Sequence, residues 1–94
     1  MGLTAASTVV ASREQVSTDL GGEAIILGLK DGIYYGLEAV GARIWTLIQE
    51  PRTLGAVRDA ILSDYDVDTE SCECDVRALV ADLIDRGLAE VTDA

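Results

Sequence analysis

Two cysteines, Cys72 and Cys74, are the residues of this sequence that most resemble a reactive pair. A structural zinc site needs four Cys or His ligands, and a cysteine nucleophile needs a neighbouring base, usually His. The 94-residue chain has no histidine and no other cysteine, so it cannot complete either arrangement alone. On a helix the two thiols would also point about 200° apart. The sequence therefore predicts two independent thiols, Cys72 as a small core residue and Cys74 exposed.

The carboxylates and glycines do not form a catalytic pattern either. A row of acidic residues along a helix is far more often a solvated face than a catalytic pair. The glycines fit neither a phosphate-binding loop followed by Lys and Ser or Thr nor a dinucleotide-binding fingerprint. The sequence therefore predicts a protein that is not an enzyme, uses no cofactor and no metal, and acts by binding.

The charge of the chain is negative and unevenly distributed. Seven basic against seventeen acidic residues give −10, and residues 59–94 alone hold eleven acidic against two basic residues, which leaves −9. The negative field of these residues repels nucleic acid and anionic lipid and attracts basic partners. An acidic surface that only keeps the protein soluble is the alternative explanation of the excess of acidic residues. The sequence has no apolar run of eighteen residues and no secretory signal. We expect a cytoplasmic protein that binds neither nucleic acid nor membrane.

Strand-like segments occupy the first part of the chain. Residues 8–12 and 15–19 are short candidates, and residues 24–29 are apolar on both faces, as in a central strand. The sequence Lys30-Asp31-Gly32 then predicts a hairpin turn. Residues 33–37 return antiparallel and, in a simple meander, form the last strand with one edge unpaired.

From residue 39 the apolar period changes from two to 3.6 and predicts three helices. Pro51 ends the first, Thr53 caps the second, and Asp68 caps the third, which runs to about Arg86 with Gly87 at its stop position. A short strand at residues 88–91 is a possible addition. The predicted class is α+β, a small antiparallel sheet of about three strands followed by three helices, in a winged helix-turn-helix-like arrangement. The predicted domain spans residues 9–91, with flexible ends at residues 1–8 and 92–94.

Two features of these elements suggest a binding surface. On the third helix, Leu79 lies at the edge of the buried stripe, with Asp75 and Asp82 within about 60° of it. Leu79 either forms one wall of a groove or is a core residue, in which case the two aspartates are only its solvent-exposed neighbours. Tyr34 and Tyr35 occupy neighbouring strand positions and must face opposite sides of the sheet. One of them is therefore an exposed aromatic residue.

Four sequence blocks, taken in order, resemble the PqqD-like family. They are VSTDLGGEAIIL at residues 16–27, GIYYGLEAVGARIW at residues 32–45, YDVD at residues 65–68, and Cys72-Glu73 before Asp75-Val76. The resemblance covers about residues 9–91 and is strongest to the members that act in lasso-peptide biosynthesis. Cys74 departs from the pattern, which puts in doubt only a shared role for the two cysteines.

The resemblance implies a winged helix-turn-helix fold that binds peptide instead of DNA. Such RiPP recognition elements bind the leader peptide of a ribosomally made precursor as an extra strand beside the third helix. In lasso-peptide systems a separate cysteine peptidase then cuts the leader and a cyclase closes the ring. The acidic third helix favours a leader with Lys or Arg. Mapped onto this sequence, the leader-binding residues are Ile33, Tyr34, Tyr35, Gly36 and Leu37 on the strand and Cys72, Asp75, Val76, Leu79, Asp82 and Leu83 on the helix.

Two other functions fit a small acidic domain. A winged-helix DNA-binding regulator shares the topology, but its recognition helix should present Lys or Arg, whereas this one holds Asp75, Asp82 and Asp85. A carrier protein needs a serine at a helix start, typically in an Asp-Ser-Leu context, whereas Ser63-Asp64 lies within or at the end of a helix. The leader-binding hypothesis is preferred to both.

Overall fold

The computed structural model describes residues 3–92, which form two small antiparallel sheets and three helices. The strands are β1 Thr8–Ala11, β2 Gln15–Asp19, β3 Glu23–Gly28, β4 Tyr34–Glu38, β5 Arg52–Thr53 and β6 Ala89–Thr92. The helices are α1 Val40–Leu47, α2 Leu54–Asp64 and α3 Thr69–Asp85. The predicted α+β class is confirmed, and the pair α2 and α3 with its short connector matches the winged helix-turn-helix-like prediction. None of the helices within residues 3–92 is long and apolar enough to cross a membrane.

The three strands β2, β3 and β4 form the predicted meander, here named the meander sheet, with β3 in the centre. Strand β4 begins one residue later than predicted, so Ile33 lies in the connecting loop. The hairpin itself is confirmed: Gly32 adopts a φ of 68°, and the Asp31 carboxylate accepts a hydrogen bond from the Ile33 N–H at 3.1 Å. A glycine tolerates this left-handed conformation without steric cost.

The first strand does not extend the meander, which is where the structure differs from the predicted single sheet. Strand β1 lies between β5 and β6 in a second sheet, here named the terminal sheet. Val9 is fully buried in this sheet. The possible strand after the third helix is present as β6, because Gly87, at a φ of 77°, turns the chain back after α3.

Both predicted helix caps are confirmed. The Thr53 hydroxyl accepts a hydrogen bond from the Ala56 N–H at 3.1 Å, and the Asp68 carboxylate accepts one from the Ser71 N–H at 3.2 Å. These bonds satisfy N–H groups that have no partner within the first turn of a helix. The helices then bury apolar side chains against the strands of both sheets. The most enclosed core side chains are Val9, Ile26, Ile44, Ile48, Val57, Ile61, Val76, Val80 and Leu88.

The N-terminal segment packs against the start of α2. The carbonyl groups of Ser7 and Ala5 accept hydrogen bonds from the N–H groups of Leu54 and Gly55, both at 2.9 Å. Of the predicted flexible ends, residues 1–2 and 93–94 lie outside the described residues.

Ala39 joins β4 to α1 in a conformation that is unfavourable for any residue with a side chain. Its φ of 51° and ψ of −121° fall outside the usual regions, while its N–H donates to the Gly22 carbonyl at 3.2 Å. A backbone of this kind costs about 1–3 kcal/mol for a non-glycine residue. The junction therefore contains strain that the surrounding packing offsets.

Replacing Ala39 with glycine should relieve this strain. We expect Ala39→Gly to keep or increase the free energy of unfolding, by up to about 1 kcal/mol, because glycine adopts a positive φ freely. The matched control is Ala81→Gly at an exposed position inside α3, which should cost about 1 kcal/mol. Urea unfolding followed by circular dichroism measures both. An equal decrease in the free energy of unfolding of the two variants would show that Ala39 is not strained.

Candidate functional site

Strand β4 has one free edge. It pairs with β3 over five residue pairs, from Leu27 opposite Tyr34 to Glu23 opposite Glu38, and no other strand within residues 3–92 pairs with it. The backbone N–H and C=O groups on its outer edge are thus available to another extended chain. Proteins normally shield such an edge unless it is used for binding.

The register of β4 determines which tyrosine faces the helices. Tyr35 and Leu37 lie opposite Ile26 and Ala24, whose side chains are buried, and both are themselves half-buried. They therefore point toward the helical layer. Tyr34 lies on the other face of the sheet and is 69% exposed.

The free edge of β4 lies beside α3, and Gly41 of α1 is between them. A Cβ atom placed on Gly41 would lie 3.5 Å from Leu37 Cδ2 and 3.7 Å from Leu79 Cδ2. Leu79 is half-buried, while Asp75 and Asp82 are exposed on the same side of α3. This surface, here named the β4–α3 groove, is formed by Tyr35, Leu37, Gly41, Asp75, Leu79 and Asp82.

Arg86 lies across one end of the β4–α3 groove. Its guanidinium is 4.8 Å from the centre of the Tyr35 ring, and its Nε donates to Asp82 at 3.0 Å. The Tyr35 hydroxyl in turn donates to Asp31 at 3.5 Å. A cation over an aromatic face is attracted by the ring quadrupole. The Arg86 side chain thus links Tyr35 on one wall to Asp82 on the other.

Three of the predicted helix residues are not available at the surface. Cys72, Val76 and Leu83 are 4%, 2% and 2% exposed and belong to the hydrophobic core. The helical period places them on the side of α3 that adjoins the groove, but α2 and β6 pack against that side. Only Asp75, Leu79 and Asp82 of the predicted helix set reach the groove. On the strand side, Tyr35 and Leu37 reach it, Tyr34 and Gly36 lie on the opposite face, and Ile33 precedes the strand.

Sequence reasoning missed Gly41 and Arg86. A glycine inside a helical segment indicates close packing or function, and Arg86 follows Asp82 by four residues, the spacing of a helical ion pair. Both signals were visible in the sequence. Neither could be connected to β4 without the tertiary arrangement.

The other free edge of the meander sheet has a different environment. Strand β2 borders a hollow lined by Ser17, Thr18, Asp19, Ala24, Trp45, Thr46 and Gln49. Most of these side chains are polar, whereas Tyr35, Leu37 and Leu79 give the β4 edge apolar walls. An added strand gains specificity from pockets for alternate side chains, so the β4 edge suits a peptide better.

A concavity along the N-terminal part of α3 shares only Asp75 with the groove. It has a volume of about 710 Å³ and is lined by Glu70, Ser71, Glu73, Cys74, Asp75 and Arg77. These side chains are mostly charged and offer no apolar wall. Within residues 3–92 no cluster of three potential metal ligands occurs.

Cys72 is not a reactive thiolate. Burial raises the pKa of its thiol, and the negative charges of Asp75 and Glu73 raise this pKa further, whereas Arg58 lowers it. The Cys72 thiol also lies 3.9 Å from the Arg58 carbonyl, to which it can donate. Since the thiolate is the nucleophile, the raised pKa and the burial of Cys72 both lower its reactivity near neutral pH. The predicted separation of a core Cys72 and an exposed Cys74 is confirmed.

Comparison with known proteins identifies the family of this chain. The PqqD family, described as coenzyme PQQ synthesis protein D, matches residues 23–89. The chain belongs to the PqqD family. Among solved structures it is similar to TbiB1 in complex with the TbiA(beta) leader peptide, at 37% identity and a TM-score of 0.81, over 86% of this chain and 94% of TbiB1. No curated protein matches.

A second solved structure shares the fold of this PqqD-family chain. It is lasso peptide synthetase B1 complexed with the leader peptide, at 23% identity and a TM-score of 0.76, over 87% of this chain and 96% of that one. The predicted family resemblance is confirmed.

The two thiols should differ in reactivity. We expect Ellman's reagent at pH 8 to modify one thiol per chain within seconds to minutes and the second only after unfolding. The reason is that Cys74 is exposed and the pKa of the buried Cys72 is raised. Cys74→Ser should remove the fast phase and Cys72→Ser should retain it. Equal rates for both thiols in the folded protein would contradict the placement of Cys72.

Proposed function

We propose that this protein is a non-catalytic recognition element that binds the leader peptide of a ribosomally made precursor, with the leader added as a strand to β4. The observation that carries the proposal is the free edge of β4 beside Leu79, where Leu37 and Leu79 approach the same glycine. TbiB1, 37% identical, was solved with a leader peptide bound, which supports the same class of ligand here.

In strand addition, the backbone and the side chains make different contributions to binding. Backbone hydrogen bonds to the β4 edge supply affinity for any extended peptide, and side-chain pockets select the sequence. Alternate residues of the leader then point toward the groove. The apolar contacts with Tyr35, Leu37 and Leu79 favour a leader with apolar residues at every second position. Gly36 adds no side chain on the outer face.

The charges of α3 favour a leader with at least one Lys or Arg. Asp82 is paired with Arg86, while Asp75 makes no salt bridge within residues 3–92. Asp75 is therefore the proposed partner of a basic leader residue. The acidic surface also speeds the encounter with a basic peptide at low ionic strength.

The proposal includes a separate enzyme that acts on the bound precursor. A chain that has no histidine to activate a cysteine, and whose Cys72 thiol is buried, is suited to present a leader and not to cut it. We assign the cutting to a separate cysteine peptidase and ring closure to a cyclase, as expected for lasso-peptide biosynthesis. The protein then acts in the cytoplasm, where the ribosome releases the precursor.

Leu79→Asp should strongly weaken leader binding. A third carboxylate between Asp75 and Asp82 replaces an apolar wall with a charge, so we expect a loss of at least about tenfold in affinity, or about 1.4 kcal/mol. The measurement is fluorescence anisotropy with a labelled leader from a precursor encoded near this gene. Ala81→Asp, on the opposite side of α3, is the matched control and should bind normally.

A scrambled leader tests sequence specificity in the same assay. Absence of saturable binding of the wild-type protein to any leader encoded nearby would refute the proposed function. If folded Leu79→Asp bound the leader with unchanged affinity, the leader site would lie outside the β4–α3 groove.

Gly41 provides a test of the groove that leaves its charge unchanged. Gly41→Ala should fold well and bind the leader, because its Cβ would make ordinary contacts at 3.5 Å and 3.7 Å and alanine favours a helix. Gly41→Leu should fill the space between Leu37 and Leu79 and weaken leader binding by about tenfold or more. Thermal unfolding checks both variants, and equal leader affinity of folded Gly41→Leu would contradict the proposed path of the peptide.

A further inference from the structure

Strand β2 leaves the second edge of the meander sheet unpaired, and this edge has none of the usual protective features. Within residues 3–92, β2 pairs only with β3. Exposed edges are commonly protected by Lys, Pro, a bulge or a very short strand. The five residues Gln15–Asp19 include neither Lys nor Pro, and their register with β3 is continuous. The β2 edge can therefore pair with another strand, and the leader site at β4 does not account for it.

The hydrogen bonds at the two ends of β2 show which backbone groups face this free edge. The Leu20 N–H donates to the Glu23 carbonyl at 2.8 Å, and the Glu14 carbonyl accepts from the Leu29 N–H at 3.0 Å. In an antiparallel ladder, every second residue directs both its N–H and its C=O to the same neighbour. The even-numbered residues of β2 therefore bond to β3. The outward N–H and C=O groups are those of Gln15, Ser17 and Asp19.

Helix α1 leaves room for a strand at this edge. The hollow between β2 and α1 has a volume of about 220 Å³. Ser17 lies opposite the buried residue Ile26, so its side chain points toward the helical side of the sheet. The side chains of an added strand that point the same way enter the hollow. Pairing at the β2 edge is therefore not blocked by the helical layer.

The sequence of this edge is complementary to itself. When two copies of residues 13–19 are placed antiparallel with Val16 opposite Val16, Arg13 lies opposite Asp19 on both sides of the centre. Gln15 then lies opposite Ser17, so the outward N–H and C=O groups of the two strands meet. Opposite charges at directly opposed positions stabilise a sheet. A shift of two residues in either direction removes the pairing of Arg13 with Asp19.

The residues that would form these pairs have no partner within the described chain. Neither Arg13 nor Asp19 makes a salt bridge within residues 3–92, and both are exposed. Val16, at the centre of the alignment, is 58% exposed. Two copies paired in this register would form two Arg13–Asp19 ion pairs, and the two Val16 side chains would shield each other from water.

The net charge of −10 opposes self-association in general, but little of it lies near this edge. Residues 59–94 carry −9 of the net charge, and none of them belongs to the meander sheet. Helix α3 lies beside β4, at the opposite edge of the sheet from β2. At physiological salt, charges are screened beyond about 8 Å. The local pairs at the β2 edge therefore decide whether two copies associate there.

We propose that two copies of this protein associate through their β2 edges in a twofold-symmetric dimer, with Val16 at the axis and Arg13 of each chain paired with Asp19 of the other. The two three-stranded meander sheets then form one six-stranded sheet with β4 at each outer end. Both β4 edges stay free, so the dimer presents two β4–α3 grooves. The dimer itself does not depend on the proposed leader-binding function.

Sedimentation velocity at increasing protein concentration tests the dimer. We expect the wild type to dimerise with a Kd of roughly 10–500 µM, because pairing along one strand edge buries less area than a standard interface. Ser17→Pro removes an outward N–H but no hydrogen bond to β3, so it should fold and remain monomeric. Ser17→Ala is the matched control and should dimerise like the wild type. Circular dichroism and Tm check that both variants fold.

Charge exchange tests the register of the dimer. Asp19→Arg and Arg13→Asp each place like charges opposite one another, so each variant alone should dimerise at least about tenfold more weakly than the wild type. An equimolar mixture of the two variants restores both pairs of opposite charges. We expect this mixture to form a heterodimer about as stable as the wild-type dimer.

Several results would overturn the inference. A wild-type protein that stays monomeric at about 1 mM would do so. So would a dimer that folded Ser17→Pro leaves intact, or a mixture of the two charge variants that associates no better than each variant alone. Leader binding that Ser17→Pro abolishes would assign the β2 edge to the leader instead of a second copy.

Discussion

The close approach of Leu37 and Leu79 to Gly41 fixes the spacing of the proposed site. Strand β4 and helix α3 are far apart in the sequence, and α1 brings them together because a glycine at residue 41 leaves room for a leucine from each side. The same helix buries Ile44 and Trp45, so its position is set by the core. The segments that carry the walls of the β4–α3 groove are therefore positioned by packing against the hydrophobic core.

The ends of the groove depend on weaker forces. Arg86 connects α3 to the Tyr35 ring through a cation–π contact, and its ion pair with Asp82 is exposed to solvent. Exposed pairs of this kind contribute little to stability, typically less than about 1 kcal/mol. Their effect is on geometry, since they hold a tyrosine and a carboxylate at defined positions. At the other end of β4, strained Ala39 fixes the direction in which the strand leads into α1.

Local signals in the sequence were sufficient for most of the elements but not for their long-range pairing. Residue type and period predict the features that depend only on neighbours within a few residues. These features are the caps Thr53 and Asp68, the helix stop at Gly87 and the last strand of the meander. The terminal sheet pairs β1 with β6 from the opposite end of the chain, and no local period predicts that pairing. The family resemblance, and not the helical period, assigned Cys72, Val76 and Leu83 to the site. The period of α3 places these residues on its buried face, and tertiary packing encloses them.

The central claim is that a leader peptide pairs with the free edge of β4, and hydrogen–deuterium exchange of the backbone amides tests it most directly. An added strand protects amides on the edge that it joins, so leader at saturating concentration should slow exchange within Tyr34–Glu38. The β2 edge, Gln15–Asp19, serves as the internal reference and should exchange as in the free protein. Protection of β2 without protection of β4, or leader binding that protects neither strand, would contradict the account.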